Sequence, residues 1–220
     1  MARSAAAKAP VEPAAPTASA AGSASSGTET GSAAQRERRR RILDATLALA
    51  SKGGYDAVQM RTVADKADVA VGTLYRYFPS KVHLLVTALA REFERVESRV
   101  DRSQLRGDNA IERLRHVLDM ITYAMQRDPL LTEAMTRAFM FADASATAEV
   151  DQVAGIIDRL LAGAMVDDGE PGEEDLAIAR VISDVWMSNL VQWLTRRASA
   201  TDVTNRLELT VRLLLKDRIQ

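Results

Sequence analysis

From residue 36 onward, apolar positions recur at the three- and four-residue spacing of amphipathic helices. The run "RERRRRILDATLALASKGG" sets Ile42, Leu43, Ala45, Leu47, Leu49 and Ala50 behind a basic head and ends on Gly53 and Gly54. Glycine after the last apolar residue accepts the backbone that closes a helix, so a first helix ends there. A second helix is predicted over roughly Met60 to Ala67 and a third over Val71 to Tyr77. The "DVA" between them is too short for anything but a tight turn. Pro79 stops the chain, and Ser80 can cap a fourth helix running to about Arg99.

The remainder reads as longer helices. Asn109 with Glu112 fits a capping box opening a helix to about Arg127. Asp128 and Pro129 give a cap and a first-turn proline for a helix to about Phe139. Further helices cover roughly Ala144 to Met165, Glu173 to Arg197 and Thr201 to Lys216. No strand pattern and no repeat of 20–50 residues interrupts them, so the fold class is all-α.

Residues 1–34 break the periodicity. Ala, Ser, Gly, Pro and Thr fill 28 of these positions, and the only larger apolar side chains are Met1 and Val11. Such a segment cannot bury enough surface to offset the entropy of ordering, and disorder is expected. It lacks the apolar stretch of a secretory signal. Nowhere does an apolar run approach the roughly 18–20 residues of a membrane span. The absence of cysteine excludes disulfides, a thiol nucleophile and cysteine-held metals, and makes a cytoplasmic compartment the simplest reading. The expected organisation is a tail at 1–34, a small helical unit at 35–81 and a larger helical domain at 82–220.

Charge sharpens that division. Residues 36–81 carry ten Arg or Lys against five Asp or Glu, and residues 82–220 carry seventeen against twenty-three. A basic unit joined to an acidic one points to a polyanion partner for the basic part, although two solvated surfaces would give the same counts. Helix, tight turn, helix over 60–77 is the spacing of a helix-turn-helix, whose second helix meets base edges in the major groove. That helix opens on Val71, Gly72 and Thr73, small enough for close approach to DNA. Thr73, Tyr75 and Tyr77 offer hydroxyls and Arg76 a charged fork, while Leu74 and Phe78 share a face that can point inward. The run Arg38 to Arg41 is either a basic arm reaching an adjacent minor groove or a solvated cluster.

"VADKADVAVGTLYRYFPSK", with the basic first helix and "GGYDAVQMRTVA" before it, resembles the DNA-binding signature of the TetR family of bacterial regulators. The resemblance covers residues 36 to about 99. It implies an N-terminal helix-turn-helix domain followed by a larger helical domain that binds a ligand and dimerises. Carried over by position, it implies phosphate contacts from Thr73, Tyr75, Tyr77 and Lys81, and DNA contacts from Gln59 and Arg61. Base readout would fall to Val71, Gly72 and Arg76, with Arg61 a further candidate. Two positions depart from the pattern: Ala70 where a serine commonly caps the recognition helix, and His83 where an acid often completes the next capping box.

In the larger domain, "DLAIARVISDVWMSNLVQWLT" is apolar on nearly every side and needs cover all round. A partner subunit is the expected cover, with Ile182, Trp186, Leu190 and Trp193, and Leu207, Val211 and Leu214 of the last helix, at a homodimer interface. Ordinary core accounts for some of them. Met120, Tyr123, Phe139, Met140, Trp186 and Met187 suit either an adaptable apolar cavity or a core. Two runs outside the DNA-binding signature, "PLLTEAMTRAFMFADASA" and "ARVISDVWMSNLVQWLTRRASATDV", resemble the ligand domain of sterol-catabolism repressors within the family. That implies a small hydrophobic inducer, a steroid acid carried as a coenzyme A thioester, with Arg127, Arg113 or Arg137 for its phosphates.

His83 and His116 belong to no metal-ligand spacing, and no glycine-rich phosphate loop or nucleophile elbow occurs, so neither a cofactor nor a metal nor catalysis is expected. The resulting expectation is a ligand-responsive repressor of palindromic operator DNA. A different hydrophobic inducer, or none, stays open.

Overall fold

The computed structural model describes residues 25–100, 105 and 107–216, with side chains from residue 33 onward. Among these residues every regular element is helical. In the N-terminal part lie α1 (Ser25–Ala57), α2 (Met60–Lys66) and α3 (Val71–Tyr77). Then follow α4 (Lys81–Glu97), α5 (Ala110–Gln126), α6 (Pro129–Met140), a 3-10 turn at Ala144–Ala146, α7 (Thr147–Met165), α8 (Glu173–Leu194) and α9 (Ala200–Leu214). Residues 1–24 of the tail expected to be disordered lie outside the described residues. Backbone helix begins at Ser25, ahead of the expected boundary, and Ala33 and Ala34 cost little to add to a helix already nucleated.

Local chemistry sets the boundaries. The helical backbone of α1 is broken at Gly53 and Gly54, the latter at φ 65°. Asp68, at φ 52°, makes the turn between α2 and α3, a conformation that a short polar side chain tolerates. Ser80 caps α4 by accepting from the His83 N–H, and Asp128 caps α6 by accepting from the Leu131 N–H at 3.0 Å. Ala70 offers α3 no side-chain cap. At α9 the box is Ser199 with Asp202, two residues ahead of the start read from the pattern.

Leu74 and Phe78 of α3 are buried with Val63 and Ala64 of α2 and Ile42 and Leu43 of α1. Helix α4 is buried almost continuously from His83 to Ala90, so it serves as core on several sides at once. It packs against α6 and α7, while α7 also meets α5 and α8, and α9 lies against α5 and α8.

The expected dimer stripe divides by burial within the protomer. Ile182, Trp186, Leu190, Leu207 and Val211 are buried within the protomer, and Trp193 is half-buried, leaving Leu214 as the exposed member. Val181 on α8 and Leu209 and Leu213 on α9 are the exposed apolar residues instead.

Candidate DNA-binding surface and apolar cavities

The seven residues of α3 and Phe78, which follows it, divide cleanly. Leu74 and Phe78 point into the core, whereas Gly72, Tyr75 and Arg76 are exposed and Val71, Thr73 and Tyr77 are half-buried. A Cβ built on Gly72 would meet nothing within 4 Å, so the protein's own packing does not call for glycine there. Gln59 and Arg61 are exposed at the start of α2. Arg61 and Arg76 form no ion pair or hydrogen bond among the described residues.

The four consecutive arginines are not an extended arm. They lie on α1, and each has a partner within the protein. The Arg38 guanidinium donates to the Tyr77 hydroxyl at 3.5 Å, and Arg39 sits over the Phe78 ring at 5.4 Å. Arg40 pairs with Asp44 at 3.5 Å and Arg41 with Asp68 at 3.7 Å. A regular helix cannot thread a minor groove as an arm does; Arg38 and Arg39 reach the end of α3, whereas Arg40 pairs within α1 and Arg41 with the α2–α3 turn. Lys81 is likewise committed. Its Nζ donates to the Tyr55 carbonyl at 3.1 Å and stands 3.8 Å from the Tyr55 ring centre. Partial burial pulls its pKa below the usual 10.5, against the opposing influence of Asp56.

Among the described residues, three apolar hollows lie in the larger domain. The largest, 520 Å³, is lined by Phe139, Met140, Ile157, Trp186, Met187 and Val191, with Ser183, Asp184, Gln192 and Arg197 supplying polar atoms. A second, 180 Å³, lies between α4, α5 and α6 and is lined by Leu89, Phe93, Ile121, Met125, Leu131 and Met135. The third, 360 Å³, includes Arg99, His116 and Met120. Phe139, Met140, Trp186 and Met187 line one hollow, while Met120 belongs to a different one. Tyr123 and Arg127 are exposed and line none of the three.

Trp186 is a fixed wall. Its Nε1–H donates to the buried Thr122 hydroxyl at 3.0 Å, and Phe93 meets its ring edge-on at 6.1 Å. Arg113 is held by Asp167 and the Ala164 carbonyl, and Arg137 by Asp56 and Glu133, so neither lines a hollow. Arg197, missed in the sequence, is the arginine at the largest one. Ser183, Met187 and Val191 fall one turn apart on α8, a stripe that periodicity alone could have extended from Met187.

Residues 42–88 match the family model described as bacterial regulatory proteins, tetR family, and residues 107–214 match the tetracyclin repressor-like C-terminal domain. The chain belongs to the TetR family. The HTH-type transcriptional repressor KstR of Rhodococcus jostii is 74% identical over 189 residues, which cover 86% of this chain and 88% of the relative. A TetR transcriptional regulator from Rhodococcus sp. RHA1 superposes with a TM-score of 0.73 at 31% identity, covering 83% of this chain and 97% of that one. The fold is also that of Thermus thermophilus FadR, a TetR repressor solved with lauroyl-CoA, at a TM-score of 0.59 and 23% identity, over 83% of this chain and 95% of that one. The protein is therefore a KstR-like transcriptional repressor of the TetR family, a regulator and not an enzyme. No helix among the described residues is long and apolar enough to cross a membrane.

Proposed function

We propose that the protein represses transcription as a homodimer on a palindromic operator and is released by a steroid acyl-coenzyme A. Val71, Gly72 and Arg76 read base edges with help from Arg61, and Gln59, Thr73, Tyr75 and Tyr77 hold phosphates. Exposed Arg39 and Arg40 add to the phosphate field, and Lys81 joins only by leaving Tyr55. The observation that carries this reading is the outward half of α3, where Gly72 opens on free space beside an Arg76 that has no partner among the described residues. A second copy covers Val181, Leu209 and Leu213, which brings two recognition helices to successive major grooves about 34 Å apart.

The inducer takes the 520 Å³ hollow, which lies within the roughly 300–1,000 Å³ of small-molecule sites, and Arg197 meets its phosphates. Support for a steroid thioester comes from the sterol-repressor resemblance of residues 129–146 and 179–203 and from the KstR relatives. That a FadR of the same fold holds lauroyl-CoA supports an acyl-coenzyme A at the level of the fold. To weaken DNA binding a hundredfold, the inducer must prefer the released form by roughly 2.7 kcal/mol. The test is an operator titration at one salt concentration, on the palindrome upstream of the protein's own gene. It is run with cholestenoyl-coenzyme A, with lauroyl-coenzyme A and with free coenzyme A. Release by the steroid thioester alone is the expected result. Release by lauroyl-coenzyme A instead would replace the steroid with a fatty acyl inducer, and indifference to all three would remove the inducer altogether.

A further inference from the structure

One residue of the DNA-binding unit is tied to α6 of the larger domain as well as to its own unit. Tyr55 follows Gly54, just past the glycine break in α1, and its N–H, its carbonyl and its ring are all engaged. The N–H donates to Glu133 Oε2 on α6 at 3.0 Å, and the carbonyl accepts from Lys81 Nζ at the start of α4 at 3.1 Å. The ring lies between two cations, Lys81 Nζ at 3.8 Å and the Arg137 guanidinium of α6 at 4.4 Å. Arg137 also pairs with Glu133 at 3.7 Å and with Asp56 at 3.6 Å. Gly54 is fitted to this contact, because at φ +65° a Cβ there would stand 2.9 Å from the Glu133 carboxylate.

The same helix borders the ligand hollows. Glu133 and Arg137 are one turn apart and face Tyr55, whereas Leu131, Thr132 and Met135 line the 180 Å³ hollow and Phe139 and Met140 the 520 Å³ one. One short helix thus carries the clasp on one flank and borders two hollows on the others.

We propose that Glu133, with Tyr55 as its receptor, is the positioning residue that fixes the DNA-binding unit on the ligand domain. This rests on the operator-binding function proposed above. The clasp touches no DNA; it sets the separation of the two recognition helices in the dimer. Loosening it therefore weakens binding to a full palindrome, where both helices must fit at once, and leaves binding to a single half-site unchanged. A phosphate contact would weaken both, and a fold-stabilising contact would appear in the melting temperature.

The test measures affinity for palindrome and half-site DNA at one salt concentration, with melting temperature alongside, for wild type, Glu133→Ala, Glu133→Gln and Tyr55→Leu. Glu133→Ala is expected to lose about tenfold on the palindrome, within the usual range of coupling between sites, with half-site affinity and melting temperature near wild type. Glu133→Gln keeps an acceptor for the Tyr55 N–H and recovers most of the loss. Tyr55→Leu keeps both backbone bonds and loses only the ring, so its loss is smaller. Palindrome binding equal to wild type in all three variants overturns the clasp and spares the repressor reading. So does a parallel fall on both DNAs. A wild-type protein that ignores the palindrome overturns both.

Discussion

Helix α3 and helix α8 present the same problem with opposite outcomes. In α3 the few apolar side chains all go inward, so whatever stands outside, Gly72, Tyr75 and Arg76, is there for something other than the fold. In α8 apolar residues face every direction, and Ile182, Trp186 and Leu190 vanish into the protomer while Val181 is left out. A sparse pattern identifies its outward residues; a saturated one does not, because the core selects among equals by shape.

Trp186 breaks or sustains that contrast most sharply. It is 1% exposed, its Nε1–H bonds Thr122, and it also walls the largest hollow. Trp186→Ala is expected to cost about 3–5 kcal/mol in denaturant unfolding, the penalty of a large core deletion. A cost near zero would return the residue to an interface or a mobile ligand contact. Arg76→Ala comes next. It should cost about 1–3 kcal/mol on operator DNA and little on random DNA, with unfolding unchanged. Equal losses on both DNAs would make Arg76 a phosphate contact.

The smallest expected effect is a pH dependence. Asp202 has its pKa held below 3.8 by hydrogen bonds from the Ser199 hydroxyl and N–H, and Asp143 by the corresponding groups of Ser145. A carboxylate with a lowered folded pKa stabilises the fold above its unfolded value and loses that contribution as pH falls through the folded one. The start of α9 should therefore loosen only below about pH 3.8, and Asp202→Asn should flatten that part of the unfolding curve. The readout is helical signal against pH.

Helix existence and boundaries were largely legible, because Ser80, Asn109, Asp128 and Gly53 announce ends by local backbone chemistry. The inward turn of Leu74 and Phe78 was legible for the same reason. What escaped depends on contacts distant in sequence. Lys81 reads as a phosphate contact and Arg137 as a candidate for the inducer's phosphates, and nothing local shows that both stand over the Tyr55 ring. The run Arg38 to Arg41 reads as either an arm or a solvated cluster, and the contacts of Arg38 with Tyr77 and of Arg39 with Phe78 carry no local mark. Arg197 carries no local mark of the hollow it borders.

Whether the outward face of α3 belongs to DNA is tested most directly by Gly72→Ala, measured for thermal stability and for operator affinity in the same preparation. With open space at its Cβ and no left-handed backbone, alanine should stabilise the helix by about 0.5–1 kcal/mol. Operator affinity should fall, because the added methyl stands where DNA approaches. A more stable protein that binds its operator less well is the expected result. A more stable protein that binds as tightly as before would contradict the assignment of that face.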